Sequence, residues 1–156
     1  MAHRGGGGAA GLHRRRGAGY SEDAPCAGAR GQTLLPWPNR LRAGRYTWRG
    51  TTQQLDLSEP ESFGAIHGLT RWASWTPLER APARIRFGHV LHARPGWPFV
   101  LGCELGYSLD RSGLSVTTTV TNLGREACPF GSGAHPYLAA GAGGLDAAEL
   151  EVPARS

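Results

Sequence analysis

Two histidines stand where proton chemistry is possible. His135 lies in Gly131-Ser132-Gly133-Ala134-His135-Pro136-Tyr137-Leu138, and His67 in Ala65-Ile66-His67-Gly68-Leu69-Thr70-Arg71-Trp72. Imidazole is the side chain best matched to proton transfer near neutral pH. Small residues beside each ring let a ligand come close, and Pro136-Tyr137 stiffens and walls the space next to His135. A third segment, Pro36-Trp37-Pro38-Asn39-Arg40, adds an amide and a guanidinium, a rigid fork for two adjacent oxygens. Together these residues describe a pocket for a polar, ring-shaped, uncharged or weakly charged molecule, and a sugar fits. Trp37, Trp72, Trp75 and Trp97 could give such a ring an apolar face, although at least two of them are expected to be core. Each polar residue also has a plainer reading. A histidine in a Gly-flanked loop can fix that loop by bonding to backbone, and an arginine can cap a turn or pair with an acid.

Other chemistries lack their residues. All 17 basic residues are arginine, so no lysine amine exists for Schiff-base catalysis. The run Gly5 to Gly8 does not continue into a phosphate-binding loop, and no G-x-S-x-G elbow occurs. His3 and His13 lie in the N-terminal tail. His89 and His92, three apart on a strand, point to opposite faces and cannot share a metal ion. No carboxylate sits at ligand spacing from His67 or His135, so no metal site is expected. Cys26, Cys103 and Cys128 form no C-x-x-C, and their odd number argues against a disulfide framework; Cys103 reads as a small core residue.

The net charge of +5 is uneven. Arg4, Arg14, Arg15 and Arg16 precede every acid, and the remaining thirteen arginines face 12 acids. So nearly neutral a body is a poor nucleic-acid surface, and no nucleic-acid partner is expected. No apolar run is long enough for a membrane span and no segment reads as a secretory signal, so neither membrane association nor export is expected and the chain is assigned to the cytoplasm.

The elements that must position these residues are strands. With 24 Gly and 11 Pro, the composition favours strands and turns over long helices. Residues 1–19 are Gly- and Arg-rich without periodicity and read as a disordered or poorly formed start; residues 20–156 form the domain. Residues 20–44 read as an ordered loop that buries Trp37. Tyr46 to Leu55 reads as a hairpin about Gly50, and 58–70 as a long connection carrying His67. Residues 84–91 alternate polar and apolar. Residues 99–109 are the clearest strand, with Phe99, Leu101, Cys103, Leu105, Tyr107 and Leu109 on one face. The turn Asp110-Arg111-Ser112-Gly113 leads into a second strand, with Leu114, Val116, Thr118 and Val120 on one face; the two make a half-buried hairpin. Nothing alternates helix with strand, so a parallel α/β sheet is not expected.

The chain resembles the aldose 1-epimerases (galactose mutarotase-like proteins) from about Tyr20 onward. The resemblance rests on Leu35-Pro36-Trp37-Pro38-Asn39-Arg40-Leu41-Arg42-Ala43-Gly44-Arg45-Tyr46, Ala65-Ile66-His67-Gly68-Leu69, Pro95-Gly96-Trp97-Pro98-Phe99, Gly113-Leu114-Ser115-Val116 and Gly133-Ala134-His135-Pro136-Tyr137-Leu138. It implies an all-β fold, an antiparallel β-supersandwich of large sheets packed face to face, with a monosaccharide substrate bound in a cleft. It implies interconversion of the α and β anomers of a free aldose by acid/base ring opening, with no cofactor.

By position, His135 matches the family's general acid at the ring oxygen. His67 matches the histidine that binds and polarises substrate near that oxygen. Arg40, beside Asn39, matches a hydroxyl-binding arginine. Arg71 and Trp72 follow the His-Gly motif, with Arg71 a candidate for a charged substituent. The resemblance also implies that the family's general base, a glutamate, and an acidic sugar ligand lie in a later half of a longer chain. Glu149 and Glu151 follow too soon, on an expected strand, to be that base. The chain is therefore expected to correspond to the N-terminal half of a mutarotase, with an open sheet edge that makes it marginally stable or prone to aggregate alone. The rival readings are a sugar-binding module without turnover, and an epimerase of a phosphorylated or sulfonated sugar in which Arg71 or Arg42 meets the anion.

Overall fold

The computed structural model describes residues 26–140, 144–149 and 151. The expectation for residues 1–19 lies outside them. Among the described residues ten strands run in chain order: β1 (Thr33–Leu34), β2 (Arg40–Arg42), β3 (Arg45–Trp48), β4 (Thr51–Gln54), β5 (Gly64–Ile66), β6 (Thr76–Ala81), β7 (Arg84–Leu91), β8 (Leu101–Asp110), β9 (Gly113–Asn122) and β10 (Gly133–Ala134). Three single 3-10 turns, at Ala27–Ala29, Pro60–Ser62 and Leu145–Ala147, complete the regular structure. Every strand pairing is antiparallel. Among the described residues no helix is long and apolar enough to cross a membrane.

The largest sheet has the order β6-β7-β8-β9, each strand beside its neighbour in sequence. Alternation in β8 sends Leu101, Cys103 and Leu105 inward and Glu104 outward. The β8–β9 hairpin closes at Asp110 opposite Gly113, where the Asp110 carboxylate accepts the Ser112 N–H at 2.7 Å. The expected 46–55 hairpin is β3–β4, with Trp48 opposite Thr51.

The core lies where this sheet meets the loops that precede it. Leu35, Trp37, Leu55, Ala65, Leu91, Trp97, Leu101 and Cys103 form one buried cluster. Trp97 is its centre, 6.3 Å from the Trp37 ring and 5.0 Å from Phe99. Tyr46 edges the cluster and donates its hydroxyl to Gly96 O at 2.8 Å. Trp37 and Trp97 are thus core tryptophans, whereas Trp72 is exposed.

Several local expectations change. The 20–44 loop contains β1 and β2, and the 58–70 connection contains β5. Strand β6 escapes notice because it carries Pro77 and no alternation. It sits at the sheet edge, and its register slips between Pro77 and Glu79, where proline is tolerated. The hairpin expected to be half buried is unevenly covered: on the apolar face of β9, Val120 packs against the core, whereas Leu114 and Val116 towards the turn are both 51% exposed. Glu149 and Glu151 stand in irregular backbone rather than on a strand.

Candidate functional site

Thr33 to Arg42 is the spine of the site. At one end β1 pairs with β10, Leu34 opposite Gly133, which delivers His135. At the other, β2 pairs with β5, Arg40 opposite Ile66, which delivers His67. Backbone bonds extend both pairings: the His135 N–H donates to Gln32 O at 3.2 Å, the Gly31 N–H to His135 O at 2.9 Å, and the His67 N–H to Asn39 O at 2.9 Å. The two rings come together edge to face, with centroids 5.6 Å apart and planes at 86°.

Glycine is required where the His67 loop crosses the spine. Gly68 has φ of +73°, and a Cβ there would lie 2.0 Å from Leu35 O. The close crossing lets the Leu69 N–H reach Leu35 O at 2.6 Å. Thr70, buried, donates to Thr33 O at 2.7 Å and accepts the Leu35 N–H at 3.3 Å. His67 and Asn39 themselves adopt left-handed backbone, with φ of +63° and +58°. Side-chain-bearing residues hold that region only when their surroundings fix them. Here each ties the other, because the Asn39 N–H also donates to His67 Nδ1 at 3.1 Å. A backbone amide can only donate, so Nδ1 accepts, and the neutral imidazole carries its hydrogen on Nε2.

Burial, then the positive charge of Arg71, then His135 and Arg40, push the His67 pKa below the ordinary 6.5, with Glu59 opposing. At neutral pH His67 is therefore an uncharged donor through Nε2–H. His135 is braced from behind. Tyr137 stacks on it at 5.4 Å with planes 20° apart, donates its hydroxyl to Gly28 O at 3.1 Å, and lies under the Arg30 guanidinium at 5.1 Å.

Arg40 grips Glu59 with two parallel bonds, from Nε to Oε2 and from Nη2 to Oε1, the second at 2.8 Å. Its Nη1 donates to Asn39 Oδ1 at 3.5 Å. A guanidinium has five N–H groups, so one hydrogen on Nη1 and one on Nη2 remain for oxygens of a ligand. The bond from Arg40 chiefly holds the Glu59 carboxyl below the usual range, with Ser62 adding to it. Arg71 lies close enough for its charge to act on both His67 and Glu59. Gln32 locks it, accepting Arg71 Nε–H at 3.1 Å and donating to Arg71 O at 3.0 Å. Trp72 lies against it, the Arg71 guanidinium 5.3 Å from its ring.

The fold thus gathers His67, His135, Asn39, Arg40 and Arg71, with Trp72 at the rim. Sequence reading did not single out Glu59, Gln32 or Arg30. Glu59 carries no signal in its own segment, since its partner lies nineteen residues earlier, on β2. Gln32 holds Arg71 by its side chain and His135 by its carbonyl, a double contact that only the folded chain creates.

The model of the family described as aldose 1-epimerase matches residues 15–156. An uncharacterised Escherichia coli K12 protein, YihR, is 38% identical over 125 residues, covering 80% of this chain and 41% of the relative. Among solved structures, a candidate aldose 1-epimerase of Escherichia coli K12 superposes with TM-score 0.58 at 24% identity, over 65% of this chain and 34% of that one. A GalM/aldose epimerase homologue from C. elegans gives TM-score 0.55 at 18% identity, over 64% and 31%. The chain spans less than half the length of the relatives it matches.

Proposed function

The chain belongs to the aldose 1-epimerase family, and on that premise we propose that it carries the acid side of a carbohydrate isomerase site that exchanges the α and β anomers of a free aldose. The observation that supports this reading best is the edge-to-face meeting of His67 and His135, 5.6 Å apart, from opposite ends of one spine. A pyranose whose ring oxygen sits between the imidazoles meets a proton donor from each. In the opening step a base removes the anomeric hydroxyl proton and C1=O forms. The C1–O5 bond breaks, its electrons go to O5, and His135 protonates that oxygen. Rotation about C1–C2 and reversal of the step on the other face give the second anomer. His67, neutral and fixed through Nδ1, donates Nε2–H to hold the oxygen in place. The two spare N–H groups of Arg40 take ring hydroxyls, and Trp72 offers an apolar face.

The base is a separate matter. Glu59 is ionised, but Arg40 engages both of its oxygens and lowers its pKa, which makes it a weak proton acceptor. That observation favours a second reading, a module that binds sugar without turnover. NMR exchange spectroscopy on freshly dissolved α-glucose separates the two. Anomer exchange above the buffer rate, reduced by about 10² or more in His135→Ala, supports the isomerase. Saturable binding that Arg40→Ala weakens, with exchange no faster than in buffer, supports the binding module. The absence of both overturns both.

A further inference from the structure

Gln32, the residue before β1, stands at the joint between the two segments that carry the histidines. Its carbonyl accepts the His135 N–H at 3.2 Å, and its own N–H donates to Ala29 O at 3.0 Å. Its side chain faces the other segment. Oε1 accepts Arg71 Nε–H at 3.1 Å, and Nε2 donates to Arg71 O at 3.0 Å. The Nε–H can only donate and the carbonyl can only accept, so both ends of the amide are assigned and both are used. A carboxylate in this place would meet only the Nε–H, and an amine only the carbonyl. The residues before Arg71 are pinned independently, Leu69 N–H to Leu35 O at 2.6 Å and the Thr70 hydroxyl to Thr33 O at 2.7 Å. What the Gln32 side chain adds to those bonds is a fixed place for the Arg71 charge.

That charge is unmatched. Glu59 grips Arg40, whereas Arg71 makes no ion pair among the described residues. The charged and titratable groups that bear on His67 are Arg71, His135 and Arg40, which disfavour its protonated form, and Glu59, which favours it. Arg71 is the largest of the four, and Arg40 and Glu59 oppose each other. Coulomb interaction weakens with distance and with the water around a charge, so a guanidinium held in place acts more strongly than one free to swing into solvent. What it protects is a hydrogen bond. His67 Nδ1 accepts the Asn39 N–H only while the ring is neutral; protonation puts a hydrogen on Nδ1 and sets two donors against each other.

We propose that Gln32 is a positioning residue of the histidine site: while its carbonyl holds the His135 segment, its side chain clasps Arg71 and seats a fixed positive charge on the His67 side, which guards the bond from Asn39 to His67. The proposal rests on the reading of His67 as a ligand of the sugar ring oxygen and adds how that ligand is regulated. With the clasp closed, His67 keeps the neutral form whose Nε2–H points to substrate down to a lower pH. With the clasp open, acid undoes the Asn39 bond sooner and the ring loses its orientation.

The experiment is an NMR titration of the His67 ring in the full chain, in Gln32→Met, in Arg71→Gln and in the double variant, with circular dichroism reporting that each is folded. Methionine keeps the length of glutamine without its donor or acceptor. Gln32→Met and Arg71→Gln each raise the His67 midpoint towards the ordinary 6.5. The double variant rises no further than Arg71→Gln alone, because the two residues act through one charge. Gln32→Asn withdraws the same amide by one methylene and moves the midpoint in the same direction, which keeps the test open where methionine unfolds the chain. A Gln32→Met chain that melts earlier with an unmoved midpoint overturns the proposal and leaves Gln32 a loop tether. So does a midpoint that Gln32→Met raises equally in the Arg71→Gln background. Glucose titrations at falling pH read the consequence for the site: the parent holds its affinity to a lower pH than Gln32→Met, and identical pH profiles overturn the guarding role. No glucose binding by any of the chains, with midpoints moving as stated, overturns the sugar reading and leaves the clasp standing.

Discussion

The four-stranded sheet and the histidine site are built in opposite ways. In the sheet, β6 to β9 are long strands, each paired to its sequence neighbour, and its far side is poorly covered: Leu109, Leu114 and Val116 are all more than half exposed. In the site, β1, β2, β5 and β10 are two or three residues long and join segments far apart in the chain, yet Leu34, Leu35 and Ala65 are buried to within a few per cent. Strand length and local hairpins therefore do not locate the tightly determined part of this molecule. The short non-local pairings do, because Leu34 of β1 and the whole of β5 are buried, and they hold β10 and β2 in register beside them.

Backbone substitution tests this contrast most severely. Gly68→Ala must push Leu35 O away from 2.0 Å while holding φ near +73°, and is expected to cost roughly 3 kcal/mol or more and to separate the two histidines. Gly50→Ala, in the β3–β4 turn, also has positive φ but nothing within 4 Å, and should cost about 1 kcal/mol. Denaturant titration of the two variants decides the matter; equal losses would remove the distinction between the regions.

Truncation of side chains comes next. Leu35→Ala removes a fully buried side chain beneath the spine, with an expected loss of about 2–5 kcal/mol. Val116→Lys, on the exposed part of the apolar face of β9, should change stability by no more than about 0.5 kcal/mol. It should instead reduce self-association, since a lysine blunts an uncharged edge strand. Light scattering after size exclusion reads the second effect. A Val116→Lys chain as prone to associate as the parent would mean that β9 is not the adhesive surface.

Titration gives a smaller effect confined to the site. Folding lowers the His67 pKa, so the unfolded chain binds its proton more readily. The stability this confers is fully present above the ordinary 6.5. It is lost as the pH falls through the lower folded value, with no further loss from this group beneath it. An NMR titration of His67 should therefore show a midpoint below that of a solvated histidine. The smallest expected change is in Glu59→Gln, which removes the one charge that supports protonation and should move that midpoint lower still. An upward movement would mean that Glu59 acts on His67 through position rather than charge.

Much of the sheet was legible because its signals are local. Alternation marked β7 and β8, Asp110 to Gly113 marked the turn, and Trp37 and Trp97 had the bulk that a core of this size requires. The uneven cover of β9 was not legible, since an apolar alternation states which side seeks cover and not whether cover is there. Gly133–Ala134 shows no strand signal at all, because two residues cannot display a period. Without that pairing the approach of His135 to His67 has no visible cause. Glu59 and Gln32 were missed for a related reason: each matters through a partner on a different segment.

The amino-acid sequence by itself determined the β class, the hairpins and the residue types able to move a proton or hold a hydroxyl. Turn chemistry and alternation act between neighbours in the chain, so they can be read along it. Tertiary structure alone decided that two imidazoles meet, which nitrogen of His67 carries hydrogen, that Arg40 is shared with Glu59, and that Gln32 holds Arg71. Those outcomes depend on backbone N–H and C=O groups pairing across the core, and almost every residue supplies the same two groups.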